Sequence, residues 1–296
     1  MNNTAWWIII FILILLILAA GEIYRETHTF RVRKYKVKTK KNIGIQNCVK
    51  VIFLSDLHNC VYGNKNDKLY KAIQAEMPDM ILIGGDMLVA KEGSSVQEAL
   101  EFVKKLPHIC QVYYTNGNHE QRMKENTDIY GDTYERYKAK LENCGVCFLE
   151  NKAENIEKNG MKFSIYGLEL DSSVNRKFKK ADVTEKTVEE KIGKKGKDYS
   201  ILMAHNPAYM DAYKKWGADL ILSGHLHGGL VRCPGIGAVV TPQGFLFPKY
   251  SGEMRREGEQ TIVVSRGLGS HTINIRCLIC RRLSQSRSVS GNKAAS

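Results

Sequence analysis

An α/β fold of two mixed sheets sharing one core, preceded by a single membrane-spanning helix, is predicted by three observations. Ala5 to Gly21 (AWWIIIFILILLILAAG) carries no charge and gives way at once to polar sequence. From Cys48 onward short apolar runs alternate with loops and helix-like stretches, the rhythm of βαβ units and a parallel or mixed sheet. Val146 to Leu170 breaks that rhythm with short runs split by Asn159-Gly160, which reads as a hairpin added to a second sheet. With 296 residues, 43% hydrophobic and 25% charged, the chain can bury a sizeable core without a second domain.

The N-terminal run is about 17 residues, near the lower end of what spans a bilayer, and Trp6 and Trp7 stand where interfacial anchors are useful. Ala19, Ala20 and Gly21 could be a signal-peptide processing site, but Met1 to Thr4 lacks the positive segment that such a peptide needs. A buried core helix would show a polar face, and none is visible. The reading is a transmembrane anchor over 1–24, then a basic juxtamembrane segment over 25–47. The cations Arg25, Arg31, Arg33, Lys34, Lys36, Lys38, Lys40 and Lys41 face only Glu22 and Glu26. The positive-inside rule then gives a single-pass cell-membrane protein with a cytoplasmic domain, its basic segment against anionic headgroups. That segment also accounts for the net charge of +13, and no aromatic-studded recognition motif argues for nucleic acid.

Eight cysteines scattered through the chain suit a reducing compartment. Cys144-x-x-Cys147 and Cys277-x-x-Cys280 are about 130 residues apart, against 15 to 20 in a zinc ribbon, so structural thiols are the simpler reading.

The elements of the domain, 48–275, follow in order. VKVIFLS leads to a helix over Lys68 to Glu76, MILIGG to one over Ser94 to Leu106, and ICQVYYTNG to one over Thr133 to Asn143. After the hairpin, Asp171 to Asp198 is rich in Lys and Glu and reads as a surface loop with an exposed helix. YSILMAHNP, a helix over Ala208 to Trp216 and ADLILSGHLHGG restore the βα rhythm, and Gly- and Pro-rich strands run to about Ile275. The remainder, 276–296, is basic and Ser-rich and is expected to be disordered.

Each strand of the βα regions ends in polar residues that resist burial: Asp56 and His58, then Asp86, then Asn118 and His119, then His205, then His225 and His227. One of these alone would be a satisfied core histidine or a helix cap. Five strand ends in succession point instead to one site at the carboxyl edge of a sheet. His and carboxylate with one amide and no sulfur suit Mn, Fe, Zn, Co or Ni. Seven candidate ligands exceed one tetrahedral ion, whereas two divalent ions sharing a carboxylate use them all. Asp56 and Asp86 then leave the ion pair at net positive charge, which attracts a phosphate and favours in-line displacement by activated water. The period-two geometry of a strand would put Asp56 and His58, and likewise His225 and His227, on one face.

In order and spacing, D-x-H at Asp56–His58, GGDM at Gly84–Met87, GNHE at Gly117–Glu120, the lone His205 and GHLH at Gly224–His227 resemble the five motifs of the calcineurin-like metallophosphoesterases. The resemblance covers about Val49 to Ile275. It implies a pair of mixed β-sheets packed as a sandwich and flanked by helices. It further implies Asp56, His58 and His227 on one metal, Asn118, His205 and His225 on a second, Asp86 bridging, and His119 as the acid that protonates the leaving alkoxide. The N-terminal helix with the GHLHGG and SRGLGS phrases resembles the membrane-anchored bacterial branch, related to UDP-2,3-diacylglucosamine hydrolases.

The expectation is a dinuclear phosphoesterase hydrolysing a phosphodiester or pyrophosphate, in a phosphorylated small molecule or a lipid-linked substrate such as UDP-2,3-diacylglucosamine. Protein phosphatases of this superfamily continue their second motif into Asp-Arg-Gly, which Gly84 to Ser94 lacks. A membrane-tethered binding module that kept the fold but lost the chemistry is the alternative, and the completeness of the ligand set argues against it.

Overall fold

The computed structural model describes residues 3–37, 39, 48–175, 180–229, 231–233, 237–269 and 282–288. In chain order the elements are α1 (Asn3–His28), β1 (Arg31–Val37), β2 (Val49–Leu54), α2 (Asp67–Ala75), β3 (Met80–Ile83), α3 (Gln97–Val103), β4 (Gln111–Tyr114) and α4 (Asn118–Glu125). Then come α5 (Thr127–Tyr130), α6 (Thr133–Glu142), β5 (Val146–Phe148), β6 (Lys152–Lys158), β7 (Met161–Leu168), α7 (Glu185–Ile192), β8 (Tyr199–Ala204) and α8 (Met210–Trp216). The last are β9 (Leu220–Ser223), β10 (Val231–Cys233), β11 (Gly237–Val240), β12 (Glu253–Glu257), β13 (Gln260–Val264) and β14 (Arg282–Ser288).

Two six-stranded sheets result, ordered β1-β14-β2-β3-β4-β5 and β12-β13-β9-β8-β7-β6, with β10 and β11 as a separate pair. Alternation along each strand divides its side chains between two cores. Val51 and Phe53 of β2, Met80 and Leu82 of β3, and Ile201 and Met203 of β8 meet between the sheets. Ile52 and Leu54 of β2, with Ile81 and Ile83 of β3, face the other way, towards Leu69 and Ile73 of α2 and Phe102 and Val103 of α3. Leu202, Ile221 and Ile262 pack beneath Val188 of α7 and Tyr213 and Trp216 of α8. Strands buried on both faces must be apolar throughout, which is why VIFL and MILI are continuous runs. The layering is helix, sheet, sheet, helix. The expected hairpin is present as β6 and β7, paired antiparallel, with Asn159 at φ 52° and Gly160 at φ 74° in the turn.

The transmembrane expectation is overturned. Helix α1 holds the apolar run, but among the described residues no helix is long and apolar enough to cross a membrane. The reason is length: the uncharged run Ala5 to Gly21 rises by about 25 Å at 1.5 Å per residue, short of about 30 Å of hydrocarbon. The single-pass cell-membrane localisation and the membrane partnership through this helix fall with it. Part of the basic segment is also engaged elsewhere. Residues 31–37 form the sheet-edge strand β1, and Lys34 pairs with Glu76 at 2.8 Å.

Within 276–296, where the sequence suggests no regular structure, β14 lies between β1, to which it is parallel, and β2, to which it is antiparallel. Main-chain pairing in a ready slot, rather than apolar side chains, is what such a strand offers. His271, Cys277 and Cys280 lie outside the described residues.

Candidate metal centre

Strands β2, β3 and β4 are mutually parallel, as are β8 and β9, so their carboxyl ends share an edge. The polar residues singled out in the sequence follow directly after them, though not by strand alternation. β2 ends at Leu54 and β9 at Ser223, before the residues in question. Asp56 (φ 57°), His58 (φ 48°), Asp86 (φ 54°), His225 (φ 68°) and His227 (φ 50°) all adopt left-handed backbone. Such a conformation costs an L-residue about 1–2 kcal/mol and survives only where neighbours enforce it. Here the enforcement is visible: Asp56 N–H donates to Gly85 O at 2.9 Å and His58 N–H to Asp86 O at 3.1 Å, while Leu57 is buried in the core that packs under α2 and α3. A Cβ at Gly224 would overlap Ser55 and Asp56, and one at Gly117 would overlap Asp86, so glycine at these positions lets the loops close on the carboxylates.

The turns bring all eight candidate residues together. Asp56, His58 and His227 form one group of donor atoms within 4.8 Å of one another, and Asp86, His205 and His225 form another. In the first, the Nε2 atoms of His58 and His227 are 3.0 Å apart and His227 Nε2 lies 3.6 Å from Asp56 Oδ1. In the second, His205 Nε2 lies 3.1 Å from Asp86 Oδ2. Asp86 connects the two, since the same Oδ2 is 3.8 Å from His58 Nε2. Asn118 joins through its Oδ1, 2.6 Å from His225 Nδ1. His119 stands edge-on to His58 with ring centroids 4.9 Å apart.

The rings are held so that particular nitrogens face inward. His205 Nδ1 is bonded to Gly84 O at 2.6 Å and His227 Nδ1 to Gly269 O at 3.1 Å, so both donate through Nδ1 and turn Nε2 towards the site. Buried His205 Nε2 faces the Asp86 and Asp56 carboxylates at 3.1 and 3.9 Å, an arrangement in which a bound cation would take the place of its proton. His119 is turned the other way: Ala90 N–H donates to its Nδ1 at 2.8 Å, leaving the proton on Nε2.

The charges agree. Burial pushes Asp56 up to about 6. Burial would also raise Asp86, but His205, His119 and His58 hold it well below the usual carboxylate range. Burial would lower His205, yet the Asp86 and Asp56 carboxylates raise it to about 10. Two buried carboxylates thus draw positive charge into the pocket, and divalent cations suit the His, Asp and Asn donor set. Among the described residues no such group includes a cysteine.

Glu120 carries a role that its place in GNHE did not reveal. It points away from solvent, accepting from Asp86 N–H and Met87 N–H at 2.8 Å each, Gly117 N–H at 3.0 Å and Tyr114 OH at 2.7 Å. It therefore clamps the β3 and β4 loops together. Burial, reinforced by Asp86, lifts its carboxyl to about 7. An acidic residue in the first turn of α4 was the available signal, and it reads equally as an ordinary helix-start acid. Asp171 is exposed and pairs with Lys191 at 3.1 Å.

Comparison with known proteins accords with this geometry. The family model described as calcineurin-like phosphoesterase matches residues 49–229. The chain is 25% identical over 253 residues to the metallophosphoesterase YkoQ of Bacillus subtilis strain 168, covering 85% of this chain and 88% of YkoQ. It is 24% identical over 233 residues to the phosphodiesterase YaeI of Escherichia coli strain K12, covering 77% of this chain and 78% of YaeI. With more than half its length matched by the family model and the metal-ligand chemistry gathered at one sheet edge, the chain belongs to the calcineurin-like phosphoesterase family and is a metal-dependent phosphoester hydrolase.

Proposed function

We propose that the chain hydrolyses phosphodiester bonds with a pair of divalent ions, Asp56, His58 and His227 holding one, Asn118, His205 and His225 the other, and Asp86 shared between them. The single observation that carries this is Asp86: its Oδ2 lies within 3.8 Å of a histidine from each group, the placement a bridging ligand needs. When bound, paired cations clamp the phosphate and activate water for in-line attack. The protein's own groups do the rest. His205 and His227 present Nε2 because backbone carbonyls hold Nδ1, and Glu120 keeps the Asp86 loop in register. His119 offers its Nε2–H to the departing oxygen, its ring fixed by Ala90 N–H. The preference for a diester is supported by the name of YaeI and by the missing Asp-Arg-Gly continuation after Asp86.

The test is metal content per full-length chain, paired with hydrolysis of bis(4-nitrophenyl) phosphate before chelation, after it, and after Mn restoration. Near two ions and restorable turnover that Asp86→Asn abolishes are expected. Turnover unchanged by chelation, or by Asp86→Asn in folded protein, would overturn the proposal.

A further inference from the structure

After β13 the chain runs through Ser265 to Gly269 (SRGLG), most of a phrase singled out in the sequence, and closes on the first group of candidate ligands. Leu268 N–H donates to Ser55 O and Asp56 O at 3.1 Å each, and Gly269 N–H donates to Asp56 O. Gly269 O accepts from His227 Nδ1 at 3.1 Å. A Cβ at Gly267 would come within 2.8 Å of His227 Nδ1, and one at Gly269 would overlap Leu57 O, so only glycine lets the main chain approach this closely. Glycine also leaves the segment soft, because it restricts its own φ and ψ least and nothing local fixes the direction of Gly269 O. The missing constraint comes from Tyr62, 3% exposed, whose hydroxyl donates to Leu268 O. Leu268 O and Gly269 N–H belong to one planar peptide, which is therefore pinned at both ends, to Tyr62 and to Asp56. Hydrogen bonds in such a chain polarise one another, so the hydroxyl also strengthens the N–H bond to Asp56. Tyr62 is itself held. Its N–H donates to Asn66 Oδ1 at 2.8 Å, and the ring of Phe30, between α1 and β1, stands edge-on to it with centroids 5.1 Å apart.

Resting on the two-ion reading above, we propose that Tyr62 is a positioning residue for the first ion. Through the Leu268–Gly269 peptide it aims Gly269 O at His227 Nδ1 and fixes the backbone of Asp56, without itself being a ligand. The second group is supported separately, since His205 Nδ1 bonds Gly84 O and Asn118 opens α4. The brace is thus specific to one half of the centre. Loss of the hydroxyl leaves the carbonyl of buried Leu268 without its donor and frees the peptide to turn, which carries the acceptor of His227 out of line. The packing of the Tyr62 ring against Phe30 does not depend on that oxygen.

The experiment uses the full-length chain in two backgrounds, His205→Ala, which keeps the first group whole, and His227→Ala, which keeps the second. Calorimetric titration with Mn is expected to show Tyr62→Phe raising Kd by about 10–100-fold in the His205→Ala background and leaving it unchanged in the His227→Ala background. An ordinary core tyrosine would weaken both groups alike, so equal effects, or none, overturn the assignment. If Tyr62→Phe does not fold, Phe30→Ala takes its place. It keeps the hydroxyl and removes the ring behind it, so a smaller loss confined to the first group is expected, and no loss or an equal one overturns the assignment. Binding rather than turnover is read, so a chain that takes up ions and cleaves nothing fails the hydrolase reading alone. If neither background binds Mn, the two-ion reading fails, and the brace is judged by NMR on metal-free protein carrying ¹⁵N-histidine. A His227 Nδ1 resonance that moves on Tyr62→Phe, with that of His119 unmoved, supports the assignment, and an unmoved His227 overturns it.

Discussion

At the scale of the residue, His119 and Glu120 are neighbours with opposite duties. His119 faces the site with Nε2–H, so His119→Asn is expected to lower kcat for a generic diester by about 10²–10⁴ with KM little changed, read by steady-state kinetics on metal-loaded protein. Glu120 faces the interior, and Glu120→Ala would leave the N–H groups of Asp86, Met87 and Gly117 without their acceptor. We expect a loss of about 3 kcal/mol in urea unfolding, together with weaker metal binding. The eight residues that the structure gathers were legible in the sequence because His, Asp and Asn at the ends of apolar runs are improbable as packing. Glu120 was not, because its role depends on which backbone N–H groups converge on it. The left-handed turns were missed as well, since Asp and His carry no strong local signal for positive φ, and the D-x-H spacing looks the same in a strand.

At the scale of the element, a network beyond the metal centre fastens helices to the β5 end of the first sheet. Glu150, just after β5, is bonded by Lys138 of α6 at 2.6 Å and by the Tyr134 hydroxyl, and Lys124 of α4 stands 3.2 Å away. Burial alone would raise this carboxyl, but those donors outweigh it and hold it at about 2, against 4.5 when unfolded. The stabilisation is therefore complete above pH 4.5 and is lost as pH falls towards 2. After allowance for solvent screening it is worth about 1–2 kcal/mol. The stability difference between wild type and Glu150→Gln, from urea melts, should be full at pH 7 and shrink steadily below pH 4.5. Helices and strands with strong patterns were well placed from sequence: α2 and α6 lie within a residue or two of expectation. Helix α4 was not foreseen, because its eight residues begin with the polar motif itself and carry little apolar periodicity. The apolar run of α1 was visible, but its composition alone did not decide whether it was long enough to span a bilayer.

At the scale of the whole molecule, two sheets share one core, and the site sits on their common edge, so cation binding should brace loops from both. Chelation is expected to lower Tm, by the equivalent of about 4 kcal/mol for each ion present at a thousand times its Kd, checked by calorimetry with and without chelator. The two-sheet architecture was legible because buried strands must be continuously apolar, whereas the place of β14 depends on backbone pairing that composition does not encode. The left-handed turns have a further consequence, for the balance between working and enduring. Five non-glycine residues in disfavoured backbone, two of them buried carboxylates, make this edge a part of the protein that resists folding. Asp56→Asn keeps a residue that tolerates positive φ and removes a carboxyl that burial has lifted to about 6, so at pH 7 the metal-free variant should melt about 2–4 °C higher than wild type while losing turnover. A lineage released from catalysis would drift towards such substitutions and grow hardier, so a stable, silent descendant is the natural fate of this fold once its substrate disappears.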